Sequence, residues 1–317
     1  VGLSAAADYS LVYPTSLIPA ATKRVAVAFR FDRESRHEKL TGTLVAVDVG
    51  DAAPRDTEVA STTINVKGSD RGVLHFTLPR PFPPGTYRVD ATTADGPWSS
   101  IEFQIAPPTA AAALTPAALL PLEPGTTWRY DFTQRAGSGA RMNVPEDQIG
   151  ADGVYRAKAT LGTTTAEEAG ARIEVRRAGE LQTEEWWRAG ETGIAATRSR
   201  EDGQLTILDP PRPVFPAPVE LPREWEYEAG DGSFKLEYRM WGPLPVEGPS
   251  GQAPGYIVFL KHDGPVVTTA ERHFIPGVGM TREVIVLAIG GKLMSRQEMV
   301  LRSVDRSGAV VSAAPAD

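Results

Sequence analysis

Residues 224–241 read EWEYEAGDGSFKLEYRMW, and this stretch decides the fold class. After the Asp231-Gly232 step, Phe234, Leu236, Tyr238 and Met240 alternate with Lys235, Glu237 and Arg239. Side chains two apart on an extended chain share a face, so one face is apolar and the other charged. Asp-Gly between two such runs is a strong tight-turn signal, because both positions tolerate positive φ. The segment is therefore predicted to be a half-buried antiparallel hairpin. YIVFLKHDGPVVTTAERHF (256–274) and REVIVLAIGGKLMSRQEMVL (282–301) repeat the plan. Further Asp-Gly steps stand at 95–96, 152–153, 202–203 and 263–264, and Gly290-Gly291 adds another turn candidate. The C-terminal third reads as a meander of long hairpins, and no segment carries the signature of a long helix.

A chain of 317 residues is long for one core, since single cores stop growing near ~250 residues, so two domains are expected. The first has short strands: VAVAFRF (25–31), LVAVDV (44–49), VASTTINV (59–66), GVLHFTL (72–78) and a closing hairpin over 85–105. In that hairpin Tyr87, Val89 and Ala91 are expected to face Ile101, Phe103 and Ile105. The stretch PFPPGTYRVDA, followed by a strand ending FQI, resembles the last hairpin of bacterial immunoglobulin-like modules, with Val89 where antibody domains carry a cysteine. The resemblance implies an immunoglobulin-like β-sandwich over residues 8–106. It implies little about function, because such modules serve adhesion, spacing and docking alike.

Residues 107–121 are rich in Ala and Pro and read as an interdomain linker. Residues 122–304 then form a larger antiparallel β-sheet or open-barrel domain, and 305–317 a C-terminal tail. LPLEPGTTWRYDF, LPREWEYEAGDGSF and PGVGMTREV together resemble the layout of exported bacterial β-sheet proteins, often lipoproteins. Within this domain LDPPRPVFPAPVELP (208–222) holds six prolines. Proline donates no ladder hydrogen bond, so the stretch is expected as an extended surface crossover rather than an interior strand.

The net charge of -7 and pI near 5.3 disfavour a nucleic-acid partner, which requires a basic surface. No run approaches the ~20 apolar residues of a membrane-spanning helix. The absence of cysteine removes disulfides, thiolate metal sites and cysteine nucleophiles. Ala5-Ala6-Ala7 before Asp8 resembles the end of a secretory signal, so an exported, periplasmic or extracellular protein is expected. Arginine outnumbers lysine 26 to seven, a bias that suits protein docking and also follows from GC-rich coding.

Acid-base chemistry finds few candidates among His37, His75, His262 and His273. Glu271 and His273 share a strand face, but His262-Asp263 belongs at the turn, several residues of strand away, so no metal site is expected. No nucleophile elbow, phosphate loop, zinc-helix or dinucleotide motif occurs. Glu184, Glu185, Glu224, Glu226 and Glu228 lie near tryptophans, as a glycosidase would require and as any solvent-facing sheet also shows. The chain is therefore read as non-catalytic, without cofactor or metal, with hydrolase activity the minority alternative.

LQTEEWWRAGETGI (181–194) places Trp186 beside Trp187. On a strand they point to opposite faces, with Trp187 the better core residue and Trp186 left on a polar face beside Glu184 and Arg188. Trp186, Arg188, Phe215 and Trp241 are the candidate protein-interface residues. The leading expectation is an exported binding or scaffolding subunit that docks a protein partner at the outer face of a membrane complex. The alternative is a carrier of a lipid, sugar or other apolar ligand, in a second domain curved around a cavity lined by Trp128, Trp187 and Trp225.

Overall fold

A computed structural model describes residues 2–5, 11–14, 17–18, 22–31, 34–106, 114–137, 139–166, 170–219, 221, 223–232, 234–290, 292–306 and 309–312. The protein is all-β and divides into two compact units, Val1–Thr109 and Ala110–Asp317.

The first unit contains β1 (Gly2–Ala5), β2 (Leu11–Pro14), β3 (Leu17–Ile18), β4 (Arg24–Arg30), β5 (Lys39–Asp48), β6 (Thr57–Asn65), β7 (Arg71–Thr77), β8 (Gly85–Thr93) and β9 (Gly96–Ile105). One sheet runs β2-β1-β4-β7 and the other β3-β9-β8-β5-β6. Val25, Val27, Leu74 and Phe76 of the first sheet share a core with Leu44, Tyr87, Val89 and Phe103 of the second. Alternation thus buries one face of each sheet, as a sandwich requires. The Tyr87 ring stacks on Phe103 at 5.6 Å, and its hydroxyl donates to the Pro83 carbonyl (2.8 Å). Ile101, expected to face inward, is exposed instead, although its cross-strand partner Val89 is buried.

The second unit contains α1 (Pro116–Leu119), β10 (Thr126–Ala136), β11 (Val154–Ala166), β12 (Gly170–Arg177), β13 (Glu180–Gly190), β14 (Gly193–Glu201), β15 (Gln204–Pro216), β16 (Arg223–Glu228), β17 (Lys235–Gly248), β18 (Gly251–His262), β19 (Val267–Ile275), β20 (Gly279–Ile289), β21 (Lys292–Arg306) and β22 (Ala309–Ser312). Ladder order is β15-β14-β13-β12-β11-β10-β21-β20-β19-β18-β17-β16, with β22 added beside β21. Successive strands pair from β10 to β15 and from β16 to β21, and β21 pairs with β10, so the sheet comes round to near closure. The open seam lies between β15 and β16. There the backbone N–H of Gly230 donates to the Asp209 carbonyl (2.9 Å).

The hairpin at 224–241 forms as its alternation requires: Trp225 pairs with Tyr238, and Leu236, Tyr238 and Met240 are buried. Asp202 and Gly203 both take positive φ in the two-residue turn between β14 and β15, the conformation that Asp-Gly favours.

Three expectations are corrected. The proline run is not wholly a crossover: residues 208–216 belong to β15, which pairs with β14 and forms one edge of the seam. Four of its prolines lack the N–H that a second neighbour would need, so a proline-rich strand stands where the ladder stops. The expected linker is also shorter. Residues 107–113 lie outside the described residues, while Thr115 caps α1 by accepting from the Ala118 N–H (3.2 Å), and Leu119 and Leu120 are fully buried in the second core. The expected tail likewise begins as sheet, since Asp305 and Arg306 close β21 and 309–312 form β22. Among the described residues no helix is long and apolar enough to cross a membrane.

Candidate functional site

Eight strands give a barrel whose interior side chains just fill it, and wider barrels leave space. The twelve-stranded sheet encloses a cavity of about 480 Å³, within the ~300–1,000 Å³ that small-molecule sites occupy. Strand directions alternate, so the C-terminal ends of β12, β14, β16, β18 and β20 all fall at one end. The other end carries a floor. The Gly277 N–H donates to the Ala118 carbonyl (2.6 Å), which ties α1 to the β19–β20 turn. Trp128, fully buried, donates from Nε1 to the Val278 carbonyl (2.6 Å) beside it. Leu120 and Phe215 line the cavity toward this floor, and Phe215 meets Phe274 edge-on at 4.9 Å across the interior.

Inward positions of the middle strands carry charge as well as hydrocarbon. Arg212 on β15 donates to Glu185 on β13 (2.5 Å), and the other oxygen of Glu185 accepts from Trp187 Nε1 (2.6 Å). Arg272 on β19 donates to Glu283 on β20 (2.6 Å). Burial opposes the charge on Arg212 and Arg272, but Glu185 and Glu283 respectively outweigh it and raise both guanidinium pKa values. Tyr238 stands beside both arginines; burial raises its pKa and the two cations partly counter that. Tyr130 donates to the Met280 carbonyl (2.9 Å), and burial, then the charge of Glu283, pushes its pKa well up. The cavity thus has an apolar floor and a belt of two paired Arg–Glu contacts above it.

Arg177 differs from these. It closes β12 near the open end, lies with its guanidinium 4.0 Å above the Phe132 ring, and donates to Gln297 at 3.5 Å. Burial lowers its pKa. A cation held this way is stabilised by the ring quadrupole but not neutralised.

The sequence candidates separate cleanly. Trp187 lines the cavity and also borders the outer groove, whereas Trp186 lies on the outer groove alone, in keeping with strand alternation. Arg200 covers Trp186, its guanidinium 5.4 Å from the ring, and also donates to buried Glu184 (2.7 Å). Arg188 is exposed on the same outer groove of about 320 Å³. Phe215 and Trp241, expected at an interface, are buried: Phe215 faces the cavity, and Trp241 stacks on Phe259 at 4.6 Å. Of the tryptophans expected around a cavity, only Trp187 borders it. Trp128 is sealed in the floor, and Trp225 stacks on Tyr238 at 5.0 Å.

His273 and Glu271 form a close hydrogen-bonded pair, while His262 rests on the Phe234 ring at 4.5 Å and His75 contacts Arg24. The two hairpin histidines are not brought together. Sequence reasoning missed Arg212, Arg272, Glu283 and Arg177. A signal for two of them exists: Arg272 shares strand parity with Ala270 and Phe274, and Glu283 with Thr281 and Ile285, so each is a charge at a core-phased position.

No protein-family model matches the chain, and no curated protein is similar to it. A solved structure from Bacteroides fragilis, provisionally described as an exported protein with a YmcC-like fold, is similar at 10% identity with a TM-score of 0.29; the match covers 59% of this chain and 99% of that one.

Proposed function

We propose that the second unit is a non-catalytic carrier that holds a small amphipathic molecule inside its barrel. The observation that carries the reading is the cavity of about 480 Å³, open at one end, with Leu120, Trp187, Phe215 and Phe274 at its apolar end and the Arg–Glu belt above them. Aliphatic and aromatic walls with a few placed polar groups are the usual build of a small-molecule site. The acids and arginines of the belt are spent on one another, which supports holding rather than reacting. Extraction of the protein purified from its own source, followed by mass spectrometry, tests the reading. A stoichiometric apolar or amphipathic compound is expected, and a cavity that yields only water and buffer contradicts it.

The first unit we read as an immunoglobulin-like spacer. The Tyr87 hydroxyl bonded to the Pro83 carbonyl supports this, because a tyrosine corner of that kind recurs in such domains. Export of the whole protein is supported by the resemblance of its second unit to exported bacterial β-sheet proteins, and cell fractionation tests it.

Protein docking is the second reading, favoured by the outer face of β13–β15. Trp186, Arg198 and Ile207 form one cross-strand row, and Ile207 is 73% exposed, with Leu205 exposed two residues away. Exposed aliphatics beside Trp and Arg suit an interface. Replacing Ile207 by Ser should lower recovery of any co-purifying protein while leaving cavity ligand unchanged; unchanged recovery removes this face from consideration.

A further inference from the structure

We propose that the ligand is a single-chain amphiphile with a carboxylate head, anchored at the cavity mouth by Arg177 with its chain running down toward Trp187 and Phe215. This rests on the carrier reading and sharpens it. The cavity wall holds three arginines, and two are matched by Glu185 and Glu283. Among the described residues Arg177 makes no ion pair, the charge of Glu283 reaching it only from beyond salt-bridge distance, and one hydrogen bond at 3.5 Å to Gln297 engages one of its five N–H donors. The contact with the Phe132 ring holds the guanidinium in place, and its remaining donors suit a planar, bidentate acceptor. One unmatched cation suits one negative charge, hence a carboxylate rather than a phosphate dianion. Glu201 and Asp202 also border the mouth, but they are exposed at a turn, where salt screens them.

Depth agrees with an acyl chain. Arg177 and Ile173 both border the cavity from β12, four residues apart, or about 13 Å at ~3.3 Å per residue. The rest of the wall combines hydrocarbon with the Arg–Glu belt and the polar side chains of Thr160, Tyr130 and Tyr238, and Glu298, which also borders the cavity, is paired with Arg282, so the arginine left without an ion pair stands at the mouth.

Calorimetric titration of the intact protein with dodecanoate, dodecanol and dodecyl phosphate tests the proposal. Dodecanoate is expected to bind at least about tenfold tighter than dodecanol, a ratio equivalent to ~1.4 kcal/mol. Arg177→Gln should bring dodecanoate down to the dodecanol value and leave dodecanol unchanged, whereas Arg177→Lys should keep part of the preference. Equal binding of acid and alcohol by the unaltered protein, or a preference that survives Arg177→Gln, overturns the anchor while the carrier reading stands. Tighter binding of dodecyl phosphate than dodecanoate overturns the monoanion assignment. Failure of all three to bind overturns both readings. The acid-to-alcohol ratio of the unaltered protein decides the charge preference even if a variant misfolds.

Discussion

Replacing Glu283 by Gln keeps the shape of the belt but leaves Arg272 without its counter-charge. The pair is short, at 2.6 Å, and the Glu283 side chain is only 8% exposed. Stripping one partner from a dry buried pair costs about 3–5 kcal/mol. Arg272 is not fully dry: its side chain is 34% exposed, and it borders the cavity, where water can solvate it. The expected loss is therefore smaller, about 2–3 kcal/mol. For a unit of this size each kcal/mol moves the midpoint by ~2–4 °C, so thermal unfolding should fall by roughly 4–12 °C. Tryptophan fluorescence follows the right unit, because five of the six tryptophans lie in the second and only Trp98 in the first. The double variant Arg272→Met with Glu283→Leu removes both charges and should recover to within about 1 kcal/mol of the parent, since apolar replacement of a buried pair is often neutral. A shift below about 2 °C for Glu283→Gln, or a double variant less stable than the single one, would refute the claim that the belt is a mutually dependent buried pair.

Two further tests address the floor and the loop before β11. A Cβ on Gly279 would lie 2.7 Å from Trp128 Nε1, at φ +101°, whereas one on Gly277 at φ +76° meets open space. Gly279→Ala should cost about 3 kcal/mol or more and Gly277→Ala about 1 kcal/mol, read by chemical denaturation; equal losses would remove the packing argument. Hydrogen bonds from the Arg156 side chain, chiefly, lower the Asp152 carboxyl pKa to about 2. A depressed folded-state pKa stabilises the folded form fully above the ordinary aspartate range, and that contribution fades as pH falls through about 2. NMR titration should place the carboxyl midpoint near 2 and return it toward the ordinary aspartate value of 3.8 in Arg156→Gln; an unchanged midpoint in the variant would discount the pair.

The meander was legible because its hairpins combine period-two alternation with Asp-Gly turns, both local properties. Closure was not. It depends on β21 pairing with β10 across more than half the second unit, for which the alternation of neither strand gives a register. The proline run misled for a related reason: a strand at an open edge needs a ladder on one side only, so proline there marks the seam rather than a loop. The Ala/Pro composition of 107–121 concealed Leu119 and Leu120, which two buried side chains turn from linker into floor. At the site, strand parity assigned Trp187 to the interior and Trp186 to the outer face. It did not reveal the belt, because Arg212 finds Glu185 across 27 residues and charged residues on alternating strands read as solvent-facing. Their pairing is visible only once the sheet has curled.

The central claim is that the barrel interior binds a ligand, and a blocked cavity tests it most directly. Val175 borders the cavity on β12 and is only partly buried, so Val175→Trp should fill space rather than displace packed core. Titration with dodecanoate should saturate at one molecule per chain in the parent, and Val175→Trp should abolish it while the unfolding midpoint stays within a few degrees. Saturable binding that survives Val175→Trp in a folded protein would place the ligand elsewhere and contradict the account.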